Sequence, residues 1–368
     1  MKKIVKSILF IFTIILVCLS VQEPIIASEK LPEVEQNISS EKNNAEKNKK
    51  FDAGELILHH VTDHYSWHII TYKGNSVSLH LPVILYSKTN GFVCFSSRKI
   101  TEGKTYKNFK LSEKDKIEEI DENGNIIGPI IDISITKNVF AIFFSCALLL
   151  LIFISVAKTY TKRENLPPKG LQSLLEPLII FVRDDIAKSS IGEKKYEKFT
   201  PFLLTIFFFI LINNLLGLIP ILPGGANVTG NITITLALAL FTFIVTTISG
   251  NKSYWKHIFN APDIPWWLKA PVPLIPFIEL VGLIIKPFVL MVRLFANISA
   301  GHIIGLGFFS LIFIFGNMEP YLGFAVSPIT IIFTIFMSML ELLVAFIQAY
   351  VFTVLSAIYI GMATEEAH

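Results

Sequence analysis

The stretch from residue 271 to residue 315 constrains the fold more than any other, because it is apolar enough for a bilayer and still contains Arg293. As one helix, its more than forty residues would reach roughly 65 Å, about twice the ~30 Å hydrocarbon thickness of a bilayer. The stretch is therefore predicted to fold back on itself or to lie steeply tilted. A guanidinium at such a depth is costly and implies a partner or a water-filled path.

Polar residues recur along this stretch on nearly one helical face, because seven residues are close to two turns. They are Glu279, Lys286, Arg293 and Asn297. A second apolar stretch, at residues 327–363, has Glu341 and Gln348 seven residues apart on one face, with Thr334 a further heptad upstream. Two long helices with such polar stripes predict a polar route between them.

The composition indicates an integral membrane protein. At 368 residues, with a mean hydropathy of +0.58 and 31 phenylalanines, the chain is too apolar for a soluble globule of this size. The net charge of +3 is small and dispersed, and no Lys/Arg-rich patch interleaved with aromatic residues predicts nucleic-acid binding. The three cysteines, at positions 18, 94 and 146, support neither a disulfide framework nor a CxxC metal site.

The N-terminal fifty residues are predicted to precede the folded protein. Residues 1–27 combine a basic start, an apolar core and the small residues Ser20 and Ala27, which is the pattern of a secretory signal peptide. An uncleaved anchor helix is the alternative, and the short apolar core favours cleavage. Residues 28–50 are rich in Glu, Lys, Asn and Ser and are predicted to form a flexible linker.

Residues 51–136 are predicted to form a small β-rich extramembrane module, because segments such as SVSLHLPVILY partly alternate apolar and polar residues. The four-residue spacing of His60, His64 and His68 would line one face of a helix and could hold a metal. Without cysteine ligands or an HExxH motif, a polar surface with several histidines is favoured, and no metal site is predicted. The five histidines of the module are His59, His60, His64, His68 and His80.

Three shorter apolar segments are predicted to cross the membrane once each, at residues 139–157, 202–222 and 232–248. Basic residues after the first and third crossings indicate the cytoplasmic side, which places the module in the periplasm and the C-terminus in the cytoplasm. Residues 167–198 are predicted to form an amphipathic helix at the cytoplasmic interface. The predicted fold is a mainly α membrane protein with about five membrane helices, two of them long and tilted, plus the β-rich module.

Several motifs of these helices occur together in one known family. In chain order they resemble subunit a of the rotary F-type ATP synthase, over roughly residues 138–368. The resemblance implies a transmembrane domain at residues 137–368 in a bacterial inner membrane, with no cofactor and no catalysis of its own. It also implies three partners: a rotating ring of c subunits, the b-subunit stator stalk and the F1 sector. The motifs are Arg293-Leu294-Phe295-Ala296-Asn297, Ala300-Gly301-His302, LQSLLEPLIIFVRDDIA, and the closing IQAYVFTVLSAIYIGMATEE with Gln348 and Tyr359.

The resemblance also implies roles for individual residues. Arg293, which keeps its proton at any physiological pH, is predicted to drive protons on and off the c-ring carboxylates and to separate two offset half-channels. His302 and Glu341 occupy positions where some members carry the acid and the histidine exchanged, which implies that they face each other on the outer side. Asn297 and Gln348 are predicted to position Arg293.

Other polar residues have a smaller predicted role in lining the channels. Glu279 is predicted to line the inner route, Lys286 to extend its ammonium group to the interface, and Tyr359 to act as an interfacial anchor or a site residue. Asn214 and its neighbour Asn213 are polar at membrane depth, so they form either a helix–helix hydrogen bond or a wall of an aqueous vestibule. Some members of the family have an acidic residue at the position of Gly217.

Alternative functions remain open at the level of sequence. A self-contained transporter or channel also places ionisable residues at mid-depth, although no repeated half is evident. A membrane transferase or protease using His302 and Glu341 would lack HExxH and GxSxG motifs. An ion pair between Arg293 and Glu279 that only orders the helices is the structural alternative. The sequence does not distinguish H⁺ from Na⁺ as the transported ion.

Overall fold

The structure of the protein is a computed structural model. The predicted signal peptide, the predicted linker, His59 and His60 lie outside the residues that it describes. It describes residues 53–54, 57, 61–72, 75–101, 104–112, 116–121, 125–163, 166–219, 224–259 and 274–365.

A group of short antiparallel strands precedes the membrane helices, which confirms the β-rich N-terminal region. β1 pairs with β2, β5 pairs with β6, and β3 lies between β4 and β7 in a three-stranded sheet. One face of the three-stranded sheet is buried, because alternate residues of β3 and β4 point into a common core. The strands are β1 Ser66–Tyr72, β2 Asn75–His80, β3 Pro82–Ser87, β4 Gly91–Ser96, β5 Phe109–Leu111, β6 Ile117–Glu119 and β7 Ile131–Asp132.

His64 and His68 do not lie on one helical face, so the alternative of a helical metal site at these residues is not formed. His68 lies in β1, and His64 is buried in the turn before that strand, within 2.9 Å of the Thr62 hydroxyl. The neighbouring sequence folds as a strand because Trp67 is buried against the first membrane helix. Its ring packs edge-on against Phe140, with 5.8 Å between the ring centroids.

Five helices in the described part of the chain are long and apolar enough to cross a membrane, as predicted. The second begins six residues earlier than predicted, so that Pro201 lies inside it. It ends at Leu218, four residues before the predicted end, because the residue before Pro220 avoids helical backbone angles. The five are α1 Lys137–Lys162, α3 Tyr196–Leu218, α4 Ile232–Ser249, α6 Leu274–Met318 and α7 Pro320–Thr364.

The two long helices form an antiparallel hairpin with only Glu319 between them. Each has 45 residues and is therefore about 67 Å long, so neither folds back on itself. Of the two predicted solutions, only a steep tilt keeps such helices within a bilayer. Close approach at the tip depends on glycine, since a Cβ on Gly323 would lie 2.8 Å from the Cα of Gly316.

The segment predicted as one amphipathic helix at residues 167–198 is more complex. It consists of α2 Leu171–Ile180, a π-helical segment Phe181–Lys188 and one helical turn Ser189–Ile191. Gly192, with φ 89°, ends the turn, because this conformation favours glycine. Apolar residues of the π-helical segment are buried in the membrane-helix core, whereas the side chains of Arg183 and Asp184 are exposed. Val182, Ile186 and Ala187 are at most 1% exposed.

Helix α3 is the most buried membrane helix, and it positions the others. Its phenylalanines contact α1 and α7 edge-on, through Phe208 on Phe153 and Phe207 on Phe346. Short helix α5, Lys252–Phe259, follows α4. The last carbonyls of α7 are bonded from two other segments, because the Lys195 ammonium group and the Asn251 amide both donate to the Thr364 carbonyl, at 2.8 and 2.7 Å.

Candidate functional site

Arg293 lies in the middle of α6 on a face that no other described element covers. Its side chain is exposed, and so are Ala296, Asn297 and Ala300, which follow on the same face. Within the described residues it forms no ion pair or hydrogen bond, and Tyr359 is the group that interacts with it electrostatically. A permanent cation is therefore presented on a surface of small side chains.

The ion pair between Arg293 and Glu279 that would only order the helices is not formed. Fourteen residues of one helix separate the two side chains, a rise of about 21 Å. Glu279 is partly buried near the start of α6 and influences Tyr254 of α5. Burial, and then the charge of Glu279, raises the pKa of Tyr254.

His302 and Glu341 face each other across the long hairpin, as the resemblance implied. Nδ1 of His302 is 2.9 Å from Oε1 of Glu341, and the side chains are 10% and 14% exposed. The contact is a close approach of two titratable groups rather than an aligned hydrogen bond, since Oε1 has no hydrogen-bond partner of good geometry in the described structure. Gly301 makes room for the pair, because a Cβ there would lie 3.2 Å from the same oxygen.

Gly217 lies against the other side of His302. A Cβ on Gly217 would be 3.6 Å from Nε2 of His302 and 3.4 Å from the Ala226 carbonyl oxygen. A longer side chain at this position would thus reach His302 of the His302–Glu341 pair. Because Gly217 has no side chain, space remains beside Nε2 of His302.

Asn214 bonds to its neighbours in the way predicted for a helix–helix contact. Its Nδ2 donates to the Ala345 carbonyl of α7 at 3.0 Å, and its Oδ1 accepts from the Thr229 hydroxyl at 2.6 Å. Asn213 is equally buried, and its Nδ2 donates back to the Phe209 carbonyl at 2.8 Å. Asn214 therefore ties α3, α7 and the loop after α3 together.

The two amides predicted to position Arg293 lie in different environments. Asn297 is exposed one turn beyond Arg293 on α6, whereas Gln348 of α7 is only 5% exposed. Lys286 and Tyr359 meet nearer the other end of the hairpin, where the Lys286 ammonium group lies 5.5 Å from the centre of the Tyr359 ring. A small pocket beside them is lined by Thr242, Tyr254, Lys286, Leu290 and Tyr359, among others.

The loop between α3 and α4 is buried, which was not predicted from the sequence. Residues 224–230 are all buried, and Ser299 of α6 donates from its hydroxyl to the Gly230 carbonyl at 3.2 Å. Ser299 is one helical turn before His302. The loop therefore packs beside the titratable pair instead of projecting away from the helices.

The described residues contain no group of three or more His, Cys, Asp or Glu side chains arranged to hold a metal ion. The titratable groups at this site are instead spread along the hairpin.

Comparison with known proteins gives consistent matches for the membrane part. A family model described as "ATP synthase A chain" matches residues 139–361, and one described as a domain of unknown function matches residues 56–134. The chain is 44% identical over 250 residues to ATP synthase subunit a of Chloroherpeton thalassium, covering 64% of this chain and 70% of that protein. It is 45% identical over 244 residues to ATP synthase subunit a 2 of Prosthecochloris aestuarii, with 64% and 71% covered. It is 40% identical over 243 residues to ATP synthase subunit a of Myxococcus xanthus, with 65% and 75% covered.

Proposed function

Because this chain belongs to the ATP synthase A chain family, we propose that it is the stator subunit that converts ion flow through the F0 sector into rotation. Family membership gives it a role in the proton-translocating membrane sector as a non-catalytic, multi-pass membrane subunit. We further propose that Arg293 lies between two offset half-channels and acts on the carboxyl groups of the c ring. The observation that supports this role is the guanidinium of Arg293, which is exposed and unpaired within the described residues, on the small-residue face of α6.

A fixed cation on an open face can act on carboxyl groups that pass in front of it. A guanidinium within about 4–6 Å lowers the pKa of a carboxyl group, whereas apolar lipid raises it and keeps the group protonated. A carboxyl group that reaches Arg293 therefore releases its proton, and one that moves into lipid must first bind another. The alanines at 296 and 300 allow a partner helix to approach closely.

The His302–Glu341 pair serves as the outer access site in this proposal. Nδ1 of the histidine and Oε1 of the glutamate are 2.9 Å apart, close enough to share or pass a proton. Protons reach this pair from the periplasm and pass to the ring, and they leave past Glu279 and Lys286 on the cytoplasmic side. Arg293 repels a proton that would cross directly, so flow turns the ring.

The partners follow from the same proposal. They are a ring of c subunits on the Arg293 face, the b-subunit stalk, and the F1 sector through the complex, in a bacterial inner membrane. The β-rich region lies in the periplasm and the end of α7 in the cytoplasm. One proton crossing ~100 mV makes available about 2.3 kcal/mol, so several protons are needed for each ATP made.

The test is Arg293→Ala in membranes that contain the whole complex. We expect proton-driven ATP synthesis to fall to background while the complex still assembles, measured by ATP formation after acid–base transition and by native gel electrophoresis. Arg183→Ala is the matched control, because Arg183 is exposed and paired with Asp184 at 2.7 Å. ATP synthesis that persists in the Arg293→Ala variant would contradict the proposal. Failure of that variant to assemble into the complex would contradict it as well.

A further inference from the structure

Asn227, in the loop between α3 and α4, is a buried polar side chain that the proposed function leaves unexplained. It is only 4% exposed, yet neither Oδ1 nor Nδ2 bonds to any other described residue. A buried amide without partners costs roughly 1–3 kcal/mol, so natural proteins rarely keep one unless something binds it.

The surroundings of Asn227 fix where its amide lies. A Cβ on Gly230 would fall 2.1 Å from both Oδ1 and Nδ2, so the amide occupies the space that only a glycine leaves open. The Gly230 carbonyl in turn accepts from the Ser299 hydroxyl at 3.2 Å. The residue before Asn227, Ala226, has its carbonyl oxygen beside Gly217, against which His302 also packs.

The loop that contains Asn227 contacts neighbours of His302 on two sides. The Gly230 carbonyl is bonded by Ser299, a single helical turn before the histidine, and the Ala226 carbonyl shares the space at Gly217 with His302. The loop also bonds to Asn214 through Thr229 at 2.6 Å, which keeps it against α3. Asn227 therefore belongs to a loop that packs beside the His302–Glu341 pair.

We propose that Asn227 holds a water molecule in the outer proton path, so that the buried loop at residues 224–230 is a wall of that path. A water molecule matches an amide that offers one donor and one acceptor, whereas a bare cation would use only the oxygen. The water receives a proton on one side and gives another to the His302–Glu341 pair. The amide positions it without changing its own protonation. This inference rests on the proposed function and adds a positioning residue to it.

Cysteine substitution tests whether water and ions reach this position. In a chain whose native cysteines are serine, Asn227→Cys in the whole complex should make proton conduction sensitive to Ag⁺, an ion that follows aqueous paths and binds thiolates. Val228→Cys is the matched control, because Val228 is the next residue, equally buried, and packs in the apolar core. If Ag⁺ leaves proton conduction unchanged in both variants, the proposal is overturned.

Conduction itself provides the second measurement. Asn227→Leu keeps the branched shape but removes the donor and acceptor, and it should lower proton conduction of F1-stripped membranes about tenfold. Asn227→Asp, which retains an acceptor, should conduct and change the pH profile. Gly230→Ala should act like Asn227→Leu, because its methyl group displaces the amide.

Assembled Asn227→Leu complexes that conduct like the parent would overturn the inference and leave the role of Arg293 untouched. If the parent membranes themselves fail to conduct after F1 is removed, the proposed function fails instead.

Discussion

At the scale of single residues, the hairpin separates two kinds of charge. Arg293 is exposed and carries a permanent charge, whereas His302 and Glu341 are largely buried and lie in contact with each other. Arg293 can lower the pKa of a carboxyl group that passes it, and the His302–Glu341 pair can exchange protons with water. These two roles require that Arg293 and the pair lie at different depths in the membrane. Arg293 and His302 meet this requirement, because their separation of nine residues on α6 corresponds to about 13 Å along the helix axis.

The exchange of the two titratable residues is a direct test of their pairing. Because the two side chains are 2.9 Å apart, the double variant His302→Glu with Glu341→His keeps one acid and one base at the same site. Each single variant places like groups together and should lower ATP synthesis at least tenfold, since two acids at that distance raise each other's pKa. We expect the double variant to recover most of the loss. No recovery, with normal assembly, would contradict direct coupling of the pair.

The residues of the candidate site were predictable to different degrees. Arg293 and Glu341 stand out because a charge in an apolar stretch is costly, and the partnership of His302 with Glu341 followed from the family pattern. Asn227 gave no such signal, because an asparagine in a Gly-rich segment is typical of an exposed turn. Only the packing of the loop against α6 makes its amide buried.

At the scale of the helices, glycines decide where α6 and α7 approach other segments. A Cβ on Gly361 of α7 would lie 2.1 Å from the Ser190 carbonyl oxygen, in the turn after the π-helical segment. Nothing lies within 4 Å of a Cβ on Gly305 of α6. The two positions have the same helical backbone but opposite surroundings.

This contrast gives a matched prediction. Gly361→Ala should destabilise the subunit, because backbone atoms cannot move away as a flexible side chain can. Gly305→Ala should be neutral or stabilising by up to about 1 kcal/mol, since alanine favours a helix over glycine. Thermal unfolding of the solubilised complex, followed by loss of the subunit from it, compares the two. Equal unfolding temperatures would mean that α7 does not depend on this contact.

Helix boundaries could be predicted where composition changes abruptly, as at Asn231, whose side chain caps α4 by accepting from the Thr233 amide. The π-helical segment could not be predicted, because the shift of its hydrogen bonds by one residue does not change the spacing of its apolar residues. Its charged residues, such as Arg183 and Asp184, are typical of a helix at a membrane interface. The burial of Val182 and Ile186 depends on α3, which is distant in sequence.

At the scale of the whole molecule, the β-rich region is joined to α1 by specific polar contacts. The Thr136 hydroxyl donates to the Asp63 carboxylate at 2.7 Å, and the backbone N–H of Asn138 donates to it at 3.0 Å. The same threonine caps the start of α1. Together with Trp67 on Phe140, these contacts fix the extramembrane strands at the end of the first membrane helix. The family of the membrane part could be read from the sequence, whereas this attachment depends on a carboxylate more than seventy residues before the helix.

The attachment should depend on pH through Asp63. Burial raises the pKa of this carboxyl group, even though the hydrogen bonds from the Asn138 backbone N–H and the Thr136 hydroxyl, and the charge of Lys137, oppose the rise. A carboxyl group with a higher pKa in the folded chain contributes its full stability below the unfolded value of about 3.9, and that contribution is lost as the pH rises through the folded-state pKa. Protease resistance of the β-rich region in the intact complex should therefore decrease between acidic and neutral pH. Asp63→Asn should flatten this dependence, whereas Asp121→Asn, at an exposed position of the same region, should leave it unchanged. An Asp63→Asn profile that follows the parent would mean that another group controls the attachment.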